Sequence, residues 1–106
     1  MKTIAKNKRH LKQLIRTEIV KNGLQCNLNH IDVSNVKDLS FLFSESKFNK
    51  NVSNWNVSNV KNMYHMFFES EFNQDISDWK PLSLKEKIDM FKYSVLENKK
   101  KIPYWS

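Results

Sequence analysis

Glycine and proline are scarce in this 106-residue chain, with one and two copies, too few to punctuate a fold of many tight hairpins. A lone cysteine, Cys26, excludes a disulfide framework. No apolar run approaches the roughly 20 residues of a membrane span, and the start MKTIAKNKRHLK has charge but lacks the hydrophobic segment of a secretion signal. These absences create the expectation of a soluble, cytoplasmic protein. Asparagine, by contrast, is abundant. Its thirteen copies can take over part of the turn-making, because Asn tolerates the left-handed conformation and bonds its own backbone. The length suits one domain over 1–106 and leaves no room for a second core.

Charge is uneven. The net +7 is concentrated in residues 1–21, with seven basic and one acidic residue, and in 80–106, with seven basic and three acidic; 22–79 is slightly acidic. A nucleic-acid binder usually carries a basic stripe across its working face. Here the basic excess sits at the two ends, as solvated caps would place it.

The chain repeats itself. A shift of 24 residues lays 31–55 on 55–79: Val33, Ser34, Asn35 and Val36 return as Val57, Ser58, Asn59 and Val60, and Phe43, Ser46, Phe48 and Asn49 as Phe67, Ser70, Phe72 and Asn73. Leu39, Leu42, Val52 and Trp55 return as Met63, Met66, Ile76 and Trp79. A decayed third copy keeps Leu84, Met90, Phe91, Ser94 and Leu96, and Trp105 matches Trp79 if two residues are inserted. Within a unit, the alternation around Trp55 and Val57 predicts a short strand. Val60, Met63, Met66 and Phe67 are spaced as one stripe of a short helix, with Ser58-Asn59 as its cap. So small a unit cannot enclose a core alone and must bury its edge against the next. The expected fold class is α/β: a short solenoid of about three strand-helix units over 24–97. Residues 1–23 would form an N-terminal capping helix with the stripe Leu11, Leu14, Ile15 and Ile19, ended by Asn22-Gly23, and 98–106 a C-terminal cap.

The pattern W-x-V-S-N-V-x-x-M-x-x-M-F-x-x-S-x-F-N-x-x-I-S-x-W resembles the bacterial surface-protein repeat of mycoplasma lipoproteins and BspA-like proteins, which is similar to leucine-rich repeats. The resemblance covers about residues 24–97. It implies a leucine-rich-repeat-like solenoid used for protein binding, without enzymatic activity. With three units and no lipoprotein leader, the chain is expected to be like the short cytoplasmic or phage-borne members.

Catalysis finds no support in the residues. There is no nucleophile-base set with local support and no Gly-rich phosphate loop. Cys26 and His30 have the only metal-like spacing, too few ligands for a zinc site, so neither metal nor cofactor is expected. Glu69 and Glu71 read as solvated turn charges.

Two surfaces remain for a protein partner. One is the strand side, where His30, Asn54 and Asp78 form a row and Asp32, Asn56 and Lys80 another. The second is the helical side, where Phe41, Tyr64, His65, Phe68 and Tyr93 would mark an interaction patch unless they widen the core. Trp55 and Trp79 are expected inside, and Met63, Met66 and Met90 pack at helical spacing. The expected function is therefore a non-enzymatic protein-binding module acting by occlusion or tethering. The alternative is a phage or mobile-element inhibitor of a host defence nuclease, anti-CRISPR-like, gripping a ribonucleoprotein or nucleic acid through Lys6, Lys8, Arg9 and Lys12 together with Lys99, Lys100 and Lys101. No membrane partner is expected, and an imperfect end cap would let copies associate end to end.

Overall fold

The computed structural model describes residues 3–24 and 26–106. Residues 1 and 2, where the expected cap begins, and residue 25, at the start of the expected repeats, lie outside them. Helix α1 spans Lys8–Asn22. Asn7 caps it by accepting the His10 amide at 2.9 Å. Gly23, at φ 82°, ends it and returns its N–H to the Ile19 carbonyl at 2.7 Å. Leu11 and Ile15 are buried, with Leu14 and Ile19 packed partly against the core. Ahead of the helix, β1 (Thr3–Ile4) pairs in parallel with β2 (Ile31–Asp32). A four-residue helix, α2 (Val95–Asn98), starts at the Ser94 cap.

The expected α/β solenoid of three strand-helix units is overturned. Residues 33–94 contain neither helix nor strand. The positions read as helical are chains of four-residue turns: Leu42 N–H returns to the Leu39 carbonyl, Ser46 to Phe43, Met66 to Met63 and Ser70 to Phe67. Residues 41, 45, 65, 69, 89 and 93 all have φ between 53° and 61°. A left-handed residue every four positions cannot continue a right-handed helix. Such turns nevertheless return an apolar residue every three or four positions, the same spacing as a helical stripe. The expected strands fail because turns close on both sides of them. Trp55 N–H bonds Val52 and Val60 N–H bonds Val57, leaving too few residues for an extended segment.

The units instead stack as turn-rich layers, here numbered 1 (31–54), 2 (55–78) and 3 (79–98). The amides of Leu39, Phe41, Phe43 and Glu45 donate to the carbonyls of Asn62, Tyr64, Met66 and Phe68 at 2.8–3.0 Å. Those of Met63, His65, Phe67 and Glu69 donate to Glu86, Ile88, Met90 and Lys92 at 2.8–3.2 Å. Parallel bridges join Asp38 to Asn62 and Asn62 to Glu86. Backbone groups that a helix would satisfy internally are thus satisfied between layers.

Side chains build ladders through the same stack. Phe43, Phe67 and Phe91 lie with ring centroids 5.7 and 5.2 Å apart. Trp55, Trp79 and Trp105 follow at 6.4 and 6.1 Å, so the two-residue insertion lets Trp105 become the next rung. Asparagine and aspartate hold the corners. Asn27, Asn51 and Asp75 accept the amides of Asn29, Ser53 and Ser77, and Asp38 and Asn62 those of Ser40 and Tyr64. These side-chain turns do the work for which glycine and proline are too few.

Candidate functional site

The strand-side rows are only partly available. His30 is half-buried, its Nε2 3.1 Å from Glu18 Oε1 on α1. Asp32 lies in β2, under the pairing with β1, and accepts the Ser34 amide at 2.9 Å. Asn56 is exposed but holds a turn, accepting the Ser58 amide at 3.1 Å. Asn54, Asp78 and Lys80 are exposed. Lys80 borders a cleft of about 410 Å³ with Trp79, Leu84, Tyr104 and Trp105. What remains open is a short strip running from Asn54, at the end of layer 1, through Asp78 in layer 2 to Lys80 in layer 3.

The aromatic residues do come together. Phe41 meets Tyr64 edge-on at 5.4 Å and His65 at 5.3 Å. His65 stacks on Phe68 at 4.6 Å, and Phe68 meets Tyr93 edge-on at 5.7 Å. The resulting ridge crosses all three layers. Phe41 and Tyr93, at its two ends, are 49% and 60% exposed, so it is more than a widened core. The left-handed backbone at 41, 65 and 93 positions three of its five members. His65 Nδ1 is buried among these rings with no hydrogen-bond partner among the described residues.

The basic residues stay apart. Lys8 Nζ reaches across to layer 1, 2.8 Å from Ser40 Oγ and 3.3 Å from Asp38 Oδ2. Partial burial works to raise the Asp38 carboxyl, but the Ser40 hydroxyl and amide and the Lys8 ammonium outweigh it and hold the group below its ordinary value. Lys6, Arg9 and Lys12 are exposed on or beside α1. Lys99, Lys100 and Lys101 are exposed beyond layer 3, where Lys101 borders a groove with Asn73, Gln74, Asp75 and Leu96. Lys8, Arg9 and Lys12 line a different groove, with Gln13 and Arg16.

Cys26 and His30 are likewise separated in role. Burial pushes the Cys26 thiol up, with the Glu18 charge adding to it, while His30 is turned to Glu18. Among the described residues no three His, Cys, Asp or Glu side chains converge on a point where a metal could sit. Nor is any helix among them long and apolar enough to cross a membrane.

Two features escaped the sequence reading. Lys37, Lys61 and Lys85 recur at 24 residues, all exposed, on backbone segments joined by Lys61 N–H to Lys37 O and Lys85 N–H to Lys61 O. Layer 3 also ends the stack with an unpaired edge. The amides of Lys87, Asp89 and Phe91 occupy the places of Met63, His65 and Phe67 but donate no hydrogen bond among the described residues. The visible signal was Lys87 itself, which stands where layers 1 and 2 bury Leu39 and Met63.

No curated protein and no solved structure matches the chain. A family model does, over residues 10–105, from α1 through all three layers to Trp105. The chain therefore belongs to the family described as Mycoplasma protein of unknown function, DUF285.

Proposed function

We propose that the chain is a non-enzymatic protein-binding module that occludes or tethers a protein partner. The observation that carries this reading is the ridge Phe41–Tyr64–His65–Phe68–Tyr93, exposed at both ends and mounted on hydrogen-bonded layers. Aromatic side chains dominate interface energetics because they bury much area at little cost in rotamer freedom. A backbone tied layer to layer loses little more freedom when it docks. Membership of the family supports the mycoplasma part of the resemblance, and the BspA-like repeats to which the sequence pattern is similar imply protein binding. The rival reading, a defence-nuclease inhibitor working through the basic ends, is weaker because Lys8 is engaged by Asp38 and because Lys101 borders one groove while Lys8, Arg9 and Lys12 line another.

The test compares immobilised wild type with the double variant Phe41→Glu, Tyr93→Glu in bacterial lysate. Glutamate already occupies the left-handed positions 45 and 69, so both changes suit the backbone. The expected result is a protein retained by the wild type and lost by the variant at an unchanged melting temperature. Retention of the same proteins by both would remove the ridge as the contact.

A further inference from the structure

We infer that the open edge of layer 3 is a docking site for an acidic peptide segment, which would add its backbone to the stack where a fourth layer would lie. This rests on the protein-binding reading and names the place and chemistry of one contact.

The inference starts from hydrogen-bond polarity. At each internal junction a row of four amides of one layer donates to carbonyls of the next, while single carbonyls at either side of the row, Lys37 and Ser46 in layer 1 and Lys61 and Ser70 in layer 2, accept in return. The last layer keeps this arrangement with its acceptors missing. Lys87, Asp89 and Phe91 have free amides, whereas the fourth donor in the row, Tyr93 N–H, is met by Glu97 Oε1 at 3.0 Å. A row of unpaired donors selects a partner that brings backbone carbonyls in register, as in strand addition to an open sheet edge.

The edge also lies in a groove. A space of about 410 Å³ opens over it, lined by Lys87, Met90, Phe91, Tyr93, Glu97 and Ile102 among others. Tyr93 belongs both to this groove and to the aromatic ridge, so a partner lying on the ridge reaches the edge without a gap.

Charge complementarity decides which peptide. Lys87 replaces the apolar residue buried at the matching place in layers 1 and 2; its Nζ has one long hydrogen bond, 3.5 Å to the Trp105 carbonyl, so an apolar fourth layer would leave its charge unneutralised. Lys92, its Nζ 5.3 Å from the centre of the Tyr93 ring, adds a second positive group. Neither lysine makes an ion pair among the described residues. Of the nearby carboxylates, Glu86 is occupied by the Ile88 amide and Glu97 by that of Tyr93, leaving Asp89 as the acidic group on the edge. Residues 80–106 as a whole carry seven basic and three acidic side chains. Carboxylates on the incoming segment would meet Lys87 and Lys92 while its carbonyls accept the three amides.

The probe is a synthetic peptide with the sequence of residues 67–78, FFESEFNQDISD, which has four carboxylate side chains and no lysine. It is titrated into the isotopically labelled full chain and followed by amide NMR. The expected result is saturable shifts at Lys87, Asp89 and Phe91, and at least about tenfold slower exchange of those amides with solvent. The double variant Lys87→Glu, Lys92→Glu should bind at least about tenfold more weakly. Lys37→Glu, Lys61→Glu, with the same charge change away from the edge, should bind as the wild type does.

Four outcomes would overturn the inference: shifts confined to Lys99–Lys101, equal losses in the two double variants, a single-stranded oligonucleotide shifting the same amides more strongly, or a second copy of the chain filling the edge. Slow exchange of these amides in the free protein would also overturn it, because the edge would then already be covered. A failed titration beside a ridge-dependent partner would remove this site and leave the binding reading standing. Failure of the ridge experiment alone would remove the ridge as the contact and leave this site standing.

Discussion

Trp79 lies parallel to Trp55 within 9°, ring centre 6.4 Å from ring centre, and each indole N–H donates at 3.0 Å to a carbonyl 27 residues earlier, Trp55 to Leu28 and Trp79 to Val52. One side chain therefore supplies both the apolar rung and the polar tie between layers. Trp105 repeats the bond to Ile76 at 3.3 Å. Trp79→Phe should keep most of the rung and remove one of the two hydrogen bonds to the Val52 carbonyl, which keeps the Trp55 amide, costing about 0.5–1.5 kcal/mol. Trp79→Ala should cost about 3–5 kcal/mol. Urea unfolding measures both losses, and a Trp79→Phe variant as stable as the wild type would show that the indole bond contributes nothing.

The left-handed residues allow a test by sign. In a helix, Glu69→Gly would destabilise by about 1 kcal/mol. At φ 54° glycine relieves a strain of about 1–2 kcal/mol, set against an entropy cost of about 0.5–1 kcal/mol. A net gain of about 0.5 kcal/mol is therefore expected at Glu69, and likewise at Glu45. A loss in both variants would contradict the turn geometry.

Neighbouring asparagines should behave differently. Asn56→Lys removes the acceptor of the Ser58 amide and should cost about 0.5–1.5 kcal/mol. Asn54→Lys, on an exposed residue with no hydrogen bond among the described residues, should stay within about 0.5 kcal/mol of wild type. Thermal melts of the two single variants decide it.

Asp38 sets a pH dependence at the junction of α1 and layer 1. Its folded-state carboxyl is held below the unfolded value, so its contribution is complete above the ordinary carboxylate range. That contribution disappears as pH falls below about 4, through the folded value. Because the pair is substantially exposed, the effect should be no more than about 1 kcal/mol. Comparing acid unfolding of wild type and Asp38→Asn should show a gap at neutral pH that closes in acid; a gap that persists in acid would assign the effect to shape instead.

The sequence displayed the period and the buried set more clearly than the backbone. Val60, Met63, Met66, Phe67, Phe72, Ile76 and Trp79 all lie in the core, because alignment of two near-copies isolates the positions that must match. The backbone was misread because apolar spacing of three and four is produced both by a helix and by successive four-residue turns. Distinguishing them requires φ at Phe41 and Glu45, residues whose types give no hint of left-handed geometry. At the surface, aromatic clustering was legible, since Phe41, Tyr64, His65, Phe68 and Tyr93 share repeat neighbourhoods. The loss of His30 and Asp32 from the strand-side rows was not, because β1 is too short to register as a pattern and its pairing with β2 joins residues far apart in the chain.

Helix α1 covers one end of the stack. Its Lys8 reaches the Ser40 carbonyl, and its Ile15 and Ile19 share a groove with Leu42, so it packs over the face of layer 1 that would otherwise receive another molecule's amides. A head-to-tail contact through that face, of the kind that does not close on itself, would first have to displace α1.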